Sequence, residues 1–271
     1  MFRTVRAAAS SFIIAMLITS SSLSADAESE IEGQTQKKIA IVIDDFGNHM
    51  NGTPEMLNMP FHFTAAIMPF MPSTKADAEE AHRRGHDVIV HLPLEPIRGK
   101  KEWLGPGAIT VEMSDEEIRA RVLKAIADVP HAVGMNNHMG SKATADERVM
   151  TVILTVCKEK GLFFLDSRTT HKTVVPKIAE ELGVNYLSNQ VFLDDVYSEA
   201  HVAKQVAAVK KLLENQDSVI TIGHVGPSGK HTAAVLKRSI PTMAPTTRFV
   251  KLTDMLAPTE LMNRPMKLSN P

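Results

Sequence analysis

The chain has 271 residues, 44% of them hydrophobic and 23% charged, with a formal net charge of −1. This is the composition of a globular chain with one large domain or two small ones, and the near-zero charge leaves no broad field to hold nucleic acid. With one cysteine, Cys157, no intramolecular disulfide is possible, so the core must hold without staples.

Arg3 and Arg6 precede the apolar segment FIIAMLI (12–18), and a serine-rich run leads to Ala25 and Ala27. A basic start, a short apolar centre and an Ala-x-Ala site describe a secretory signal peptide over residues 1–27. Spanning a bilayer takes about 20 apolar residues, so cleavage, an exported periplasmic protein and no stable membrane span afterwards are expected. Residues 28–37 read as a solvated leader.

From residue 38 short β-rich runs alternate with helical patterns. Strands are expected at 38–45, 63–69, 87–93, 132–140, 162–167, 184–194, 218–226 and 248–254. Several are continuous apolar runs, as in strands covered on both faces. Helical patterns lie between them, for example 74–85 and 114–129. The latter opens on Ser114 and Glu117, a capping box, with Ile118, Val122 and Ile126 at helical spacing. Cys157 falls on an apolar helix face and reads as a small buried hydrophobe. The repeating unit predicts an α/β protein, a distorted (β/α) barrel of about seven or eight parallel strands over 38–256; an open doubly wound sheet is the alternative. The tail, 257–271, reads as flexible.

The strand ends share a chemistry. IAIVIDDFG ends in Asp44 and Asp45, DVIVHLPLE in His91 with Glu95 beyond, AVGMNNHMGS in Asn136, Asn137 and His138, LFFLDSRTT in Asp166 and Ser167, SVITIGHVGP in His224. In a parallel barrel these ends share one rim, where catalytic residues gather. Burying such groups unpaired is costly, and a divalent metal, zinc first among them, would satisfy a carboxylate and two imidazoles together. Neighbours on a strand point to opposite faces, so Asp44 and Asp45 share a cavity only if the pleat breaks, for which Gly47 is well placed. Glu95 is about 13 Å of extended chain from His91, which suits a substrate contact better than a ligand. The remaining histidines read as solvated or capping residues. The second aspartate pair, Asp194 and Asp195, reads mainly as a turn.

IVIDDFG resembles the first motif of the polysaccharide deacetylases typified by NodB, and RRGHDVIVHLPLE resembles their second. The motifs IDDFG, HLPLEP, NNHMGS, FLDSRTT and IGHVGP, in this order, resemble the divergent, YibQ-like branch of that family. The resemblance implies a NodB-like barrel acting as a metal-dependent carbohydrate deacetylase, a hydrolase of non-peptide C–N bonds, on an acetylated glycan. It implies Asp45 and His91 as metal ligands with Asp44 as base. His138 is the best third ligand. His224 is assigned as acid, Asp166 as the residue orienting it or the substrate, and Glu95, Asn137 and Ser167 as substrate contacts. The main family's second-motif histidine is replaced by Glu95 and its third motif is missing. A non-catalytic barrel binding envelope glycan or a cell-envelope protein partner, and a metal-dependent phosphoesterase or peptidase, remain open.

Overall fold

The structure, a computed structural model, describes residues 36–256. The expected signal peptide, nearly all of the leader, and the tail from residue 257 lie outside the described residues. No helix among the described residues is long and apolar enough to cross a membrane.

Strand and helix alternate: β1 (Lys37–Phe46), α1 (Thr53–Leu57), β2 (Thr64–Ile67), α2 (Thr74–Arg83), β3 (Asp87–Leu94), α3 (Asp115–Asp128), β4 (Ala132–Met139) and α4 (Glu147–Glu159). The second half continues with β5 (Phe163–Asp166), α5 (Val175–Leu182), β6 (Tyr186–Ser188), β7 (Val191–Phe192), α6 (Glu199–Leu213), β8 (Ser218–His224), α7 (Gly229–Met243) and β9 (Thr247–Val250). Helix α3 starts where the capping box placed it: Ser114 Oγ accepts from Glu117 N, and Glu117 Oε2 accepts from Ser114 N.

The strands form one sheet in the order β6-β5-β4-β3-β2-β1-β8-β7, with β9 paired to the first half of β1, and the ladders are parallel. A flat sheet would set its edge strands seven spacings, roughly 34 Å, apart. Yet β6 and β7 are successive in sequence, and the three Cα steps from Ser188 to Val191 reach at most about 11 Å. The sheet must therefore curl into a barrel, which excludes the open doubly wound arrangement. The segment expected as one strand over 184–194 is the joint: Asn189 N still bonds to Asp166 O of β5, and Gln190 N bonds to Ile220 O of β8.

Two apolar layers follow from strand alternation. Ala40 and Val42 of β1, Ile89 of β3, Leu165 of β5, and Ile220 and Ile222 of β8 pack inside the barrel. Ile39, Ile41, Ile43, Val88, Val90 and Leu92 pack outward among residues of the helices.

Candidate metal centre

The same alternation carries the inner face up to the rim. Asp44 follows Ala40 and Val42, His91 follows Ile89, and His224 follows Ile220 and Ile222, so all three side chains point inward in the C-terminal halves of their strands. Asp45 should then point outward. It does not, because the β1–β2 register slips between Ile43 and Phe46, and Asp45 itself adopts φ 71°. The pleat breaks at Asp45 rather than at Gly47, and aspartate tolerates this left-handed conformation better than most residues. Gly47 has its own reason to be glycine, since a Cβ there would lie 2.8 Å from Met68 O. A second slip, opposite Val88 and Ile89, resets β4 so that Asn136 and His138 face inward.

Three of these side chains converge. Asp45 Oδ1 lies 3.2 Å from His91 Nε2 and 3.1 Å from His138 Nδ1, and the two nitrogens are 3.1 Å apart. The outer ring nitrogens define the tautomers. His91 Nδ1 lies 2.8 Å from Asn136 Oδ1, and His138 Nε2 lies 2.9 Å from the carbonyl oxygen of Trp103. Both outer nitrogens therefore carry the proton, and the inner nitrogens present lone pairs. Asp45 Oδ1 is sealed from solvent with no hydrogen-bond partner. Three lone pairs facing one point without a proton between them call for a cation. Ligand atoms about 2.0–2.1 Å from one tetrahedral ion lie roughly 3.3 Å apart, which matches this triangle. Asp45, His91 and His138 thus form a possible metal site.

Asp44 stands beside the triangle and outside it. Its Oδ1 accepts from Asn136 Nδ2 at 2.9 Å, and its Oδ2 is 3.7 Å from His91 Nε2. Burial raises the Asp44 carboxyl above the usual range, with His91 and His224 offsetting this only in part. Asp45 instead aims Oδ1 at the two inner ring nitrogens, so the adjacent carboxylates are placed for different tasks, Asp44 as proton acceptor and Asp45 as fixed anion.

His224 is paired with a residue that the sequence did not single out for the task. His224 Nδ1 lies 2.7 Å from Asp194 Oδ1, while Asp194 Oδ2 accepts from His224 N, Ser228 Oγ and Thr232 Oγ1. Burial alone would lower the His224 imidazole, but the Asp194 bond, aided by Asp45 and Asp44, lifts it to about 10. A raised histidine stabilises the fold fully below its unfolded value of about 6.5 and loses that contribution as pH rises through the folded value. Metal-free protein should therefore lose stability between about pH 6.5 and pH 10. Urea midpoints across this range would show the slope, and Asp194→Asn should flatten it.

Asp194, not Asp166, orients His224. On β5, Leu165 faces inward and Phe164 outward, so parity turns Asp166 away from the cavity. Its Oδ1 accepts from Arg168 N, and its Oδ2 is buried without a partner among the described residues. Asn137 is likewise on the outward side of β4. Its Oδ1 accepts from Ser167 N, its Nδ2 donates to Met139 O, and its carbonyl accepts from Ser167 Oγ. Asn137 and Ser167 thus tie β4 to β5 and do not offer a substrate free groups. Glu95 is committed to Val111 N of the segment before α3, at 2.9 Å, and to Lys142 Nζ of the loop after β4, at 2.7 Å. Asn136 is the residue passed over, and counting parity through the β4 slip would have found it. Among the other histidines, His86 is buried rather than solvated, and burial holds its imidazole down to about 4. Cys157 is buried, and burial pushes its thiol up to about 12.

A curled parallel barrel with an acid–imidazole cluster on its C-terminal rim defines a carbohydrate deacetylase-like, NodB-type barrel. Within that class the chain belongs to the divergent polysaccharide deacetylase family, whose sequence profile matches residues 41–256. It is 42% identical over 205 residues to an uncharacterized protein of Haemophilus influenzae, covering 76% of this chain and 71% of the relative. It is 36% identical over 219 residues to the uncharacterized protein YibQ of Escherichia coli K12, covering 81% and 67%. Its fold is similar to the crystal structure of an uncharacterized protein from Agrobacterium tumefaciens C58, with TM-score 0.76, 18% identity, and 83% and 91% of the two chains covered. It is also similar to the catalytic domain of a peptidoglycan N-acetylglucosamine deacetylase from Eubacterium rectale, with TM-score 0.51, 15% identity and coverage of 82% and 91%.

Proposed function

We propose that this protein is an exported, periplasmic zinc-dependent hydrolase that removes N-acetyl groups from a polysaccharide or peptidoglycan-type glycan. The observation that carries the reading is the convergence of Asp45 Oδ1, His91 Nε2 and His138 Nδ1. A buried carboxylate, Asp44, and a carboxylate-paired imidazole, His224, adjoin it. Membership of the divergent polysaccharide deacetylases supports the substrate class, and the basic-then-apolar N-terminus supports export.

Asp45, His91 and His138 would hold the cation. A divalent ion there supplies Lewis acidity to a carbonyl and acidifies water; two imidazoles and one carboxylate are a set that zinc accepts. The protein's own groups handle the protons. Asp44 Oδ1 is occupied by Asn136, so Oδ2 is the oxygen available to take a proton from the attacking water, and burial strengthens it as a base. Water adds to the acetyl carbon, the C–N bond breaks, and the amine leaves with a proton from His224. Asp194 engages His224 Nδ1, which leaves Nε2 as the donor. Acetate and the free amino sugar are the products.

The deciding experiment measures metal content together with acetate release from an N-acetylated chitooligosaccharide and from peptidoglycan fragments. Bound zinc with release of acetate supports the reading. A protein that takes up no metal would instead serve as a binding barrel.

Trp103 offers a second check. It is the single tryptophan of the chain, it is exposed, and its carbonyl is held by His138 Nε2. Adding zinc to metal-free protein should shift tryptophan emission, and His138→Ala should abolish that response.

A further inference from the structure

We infer that Asn136 is a positioning residue whose single amide sets both the metal-facing nitrogen of His91 and the proton-accepting oxygen of Asp44. The inference rests on the metal site proposed above. Asn136 is fully buried on the inner face of β4, between β3 and β5, with its Cα paired in register with His91.

Its contacts are directional. Asn136 Oδ1 lies 2.8 Å from His91 Nδ1, an oxygen that can only accept, so His91 carries its proton on Nδ1 and presents Nε2 bare. The amide is planar, so Nδ2 must then point the other way. There it donates to Asp44 Oδ1 at 2.9 Å, with a weaker contact to Ser167 Oγ at 3.4 Å. One Asp44 oxygen is thereby engaged by the amide, and the other lies toward His91, 3.7 Å from its Nε2. No other common side chain of this size carries an acceptor and a donor on one rigid plane without first taking up a proton. Aspartate would serve His91 but would oppose Asp44 with a second carboxylate. Leucine would fill the space and serve neither.

The two tasks can be separated by substitution. Zinc binding is titrated against a chromophoric chelator, with circular dichroism verifying the fold of each variant. Asn136→Leu should weaken zinc about 10–100-fold, the usual cost of removing a partner behind a ligand. Asn136→Asp keeps an acceptor for His91 and should bind zinc within about threefold of wild type. The Asp44 half is read from melting temperatures of metal-free protein. Asn136→Asp alone should melt several degrees lower than wild type. The exchange variant Asp44→Asn/Asn136→Asp restores a donor opposite an acceptor, and should recover most of the loss.

Zinc affinity unchanged in Asn136→Leu would overturn the His91 half while leaving the metal site itself intact. An exchange variant melting no higher than Asn136→Asp would overturn the Asp44 half, because a merely space-filling residue has no reason to be rescued by its neighbour. Wild-type protein that binds no zinc would bring down the proposed function and the His91 half together. The melting comparison would still decide the Asp44 half.

Discussion

Asp44→Asn should leave zinc uptake intact and lower acetate release from an N-acetylated oligosaccharide by about 10²–10⁴-fold, the usual contribution of a positioned proton acceptor. The expectation comes from position. Asp44 Oδ2 is 3.7 Å from His91 Nε2, while Asp45 Oδ1 is the oxygen within 3.2 Å of both inner nitrogens. Asparagine keeps the shape and can still accept from Asn136 Nδ2, so the barrel rim should survive the change. Loss of zinc in this variant would mean that Asp44 is a ligand and that the division of labour between the two carboxylates is wrong.

The second large effect is thermal. Zinc at a hundredfold excess over its dissociation constant should stabilise the wild-type protein by about 2.7 kcal/mol, or roughly 5–10 °C in melting temperature for a domain of this size. His91→Ala and His138→Ala should each remove the shift. In His91→Ala the Asn136 acceptor is also left without its donor in a closed site, so metal-free stability should fall by about 1–3 kcal/mol. His138 sits closer to solvent, and its replacement should cost less before metal is added. Differential scanning with and without zinc measures both quantities in one series. Equal zinc shifts in all three proteins would remove the site from the rim.

What the sequence could say depended on which rule governed each residue. Alternation of apolar residues along β1, β3 and β8 was enough to bring Asp44, His91 and His224 to one cavity, because those strands reach the rim on the inner face without interruption. Where the chain slips register, the same rule misleads. The bulge at Asp45 and the slip before Gly134 each reverse parity, and a bulge depends on the neighbouring strand, which a single segment does not display. On β4 the slip places Asn136, two residues before His138, on the inner face, while Asn137, expected as a substrate contact, lies on the other. Asp166 failed for another reason: the strand end was read correctly, but the face was not counted from Leu165. Asp194 was dismissed as a turn residue although β7 carries it inward next to β8, a pairing between segments about 30 residues apart. Barrel closure was hidden too, since the change of partner between Asn189 and Gln190 leaves no mark on the composition of that run.

The place of β1 in the sheet has a consequence in time. It is the first strand of the barrel, yet its ladder partners include β8 and β9, the last two, with Asp44 opposite His224. During synthesis the start of the barrel must wait for nearly all of the remaining chain before its edge is covered, and contacts of such long sequence separation slow folding. The rim is therefore a late product of the folding reaction. Fragments ending before Ser218 would carry Asp45, His91 and His138, and β2 to pair with one edge of β1, but neither His224 nor β8 and β9 to cover its other edge. Such fragments would meet metal, if at all, as open chains with an unpaired edge, and the complete centre would arise only once the two ends of the domain have met.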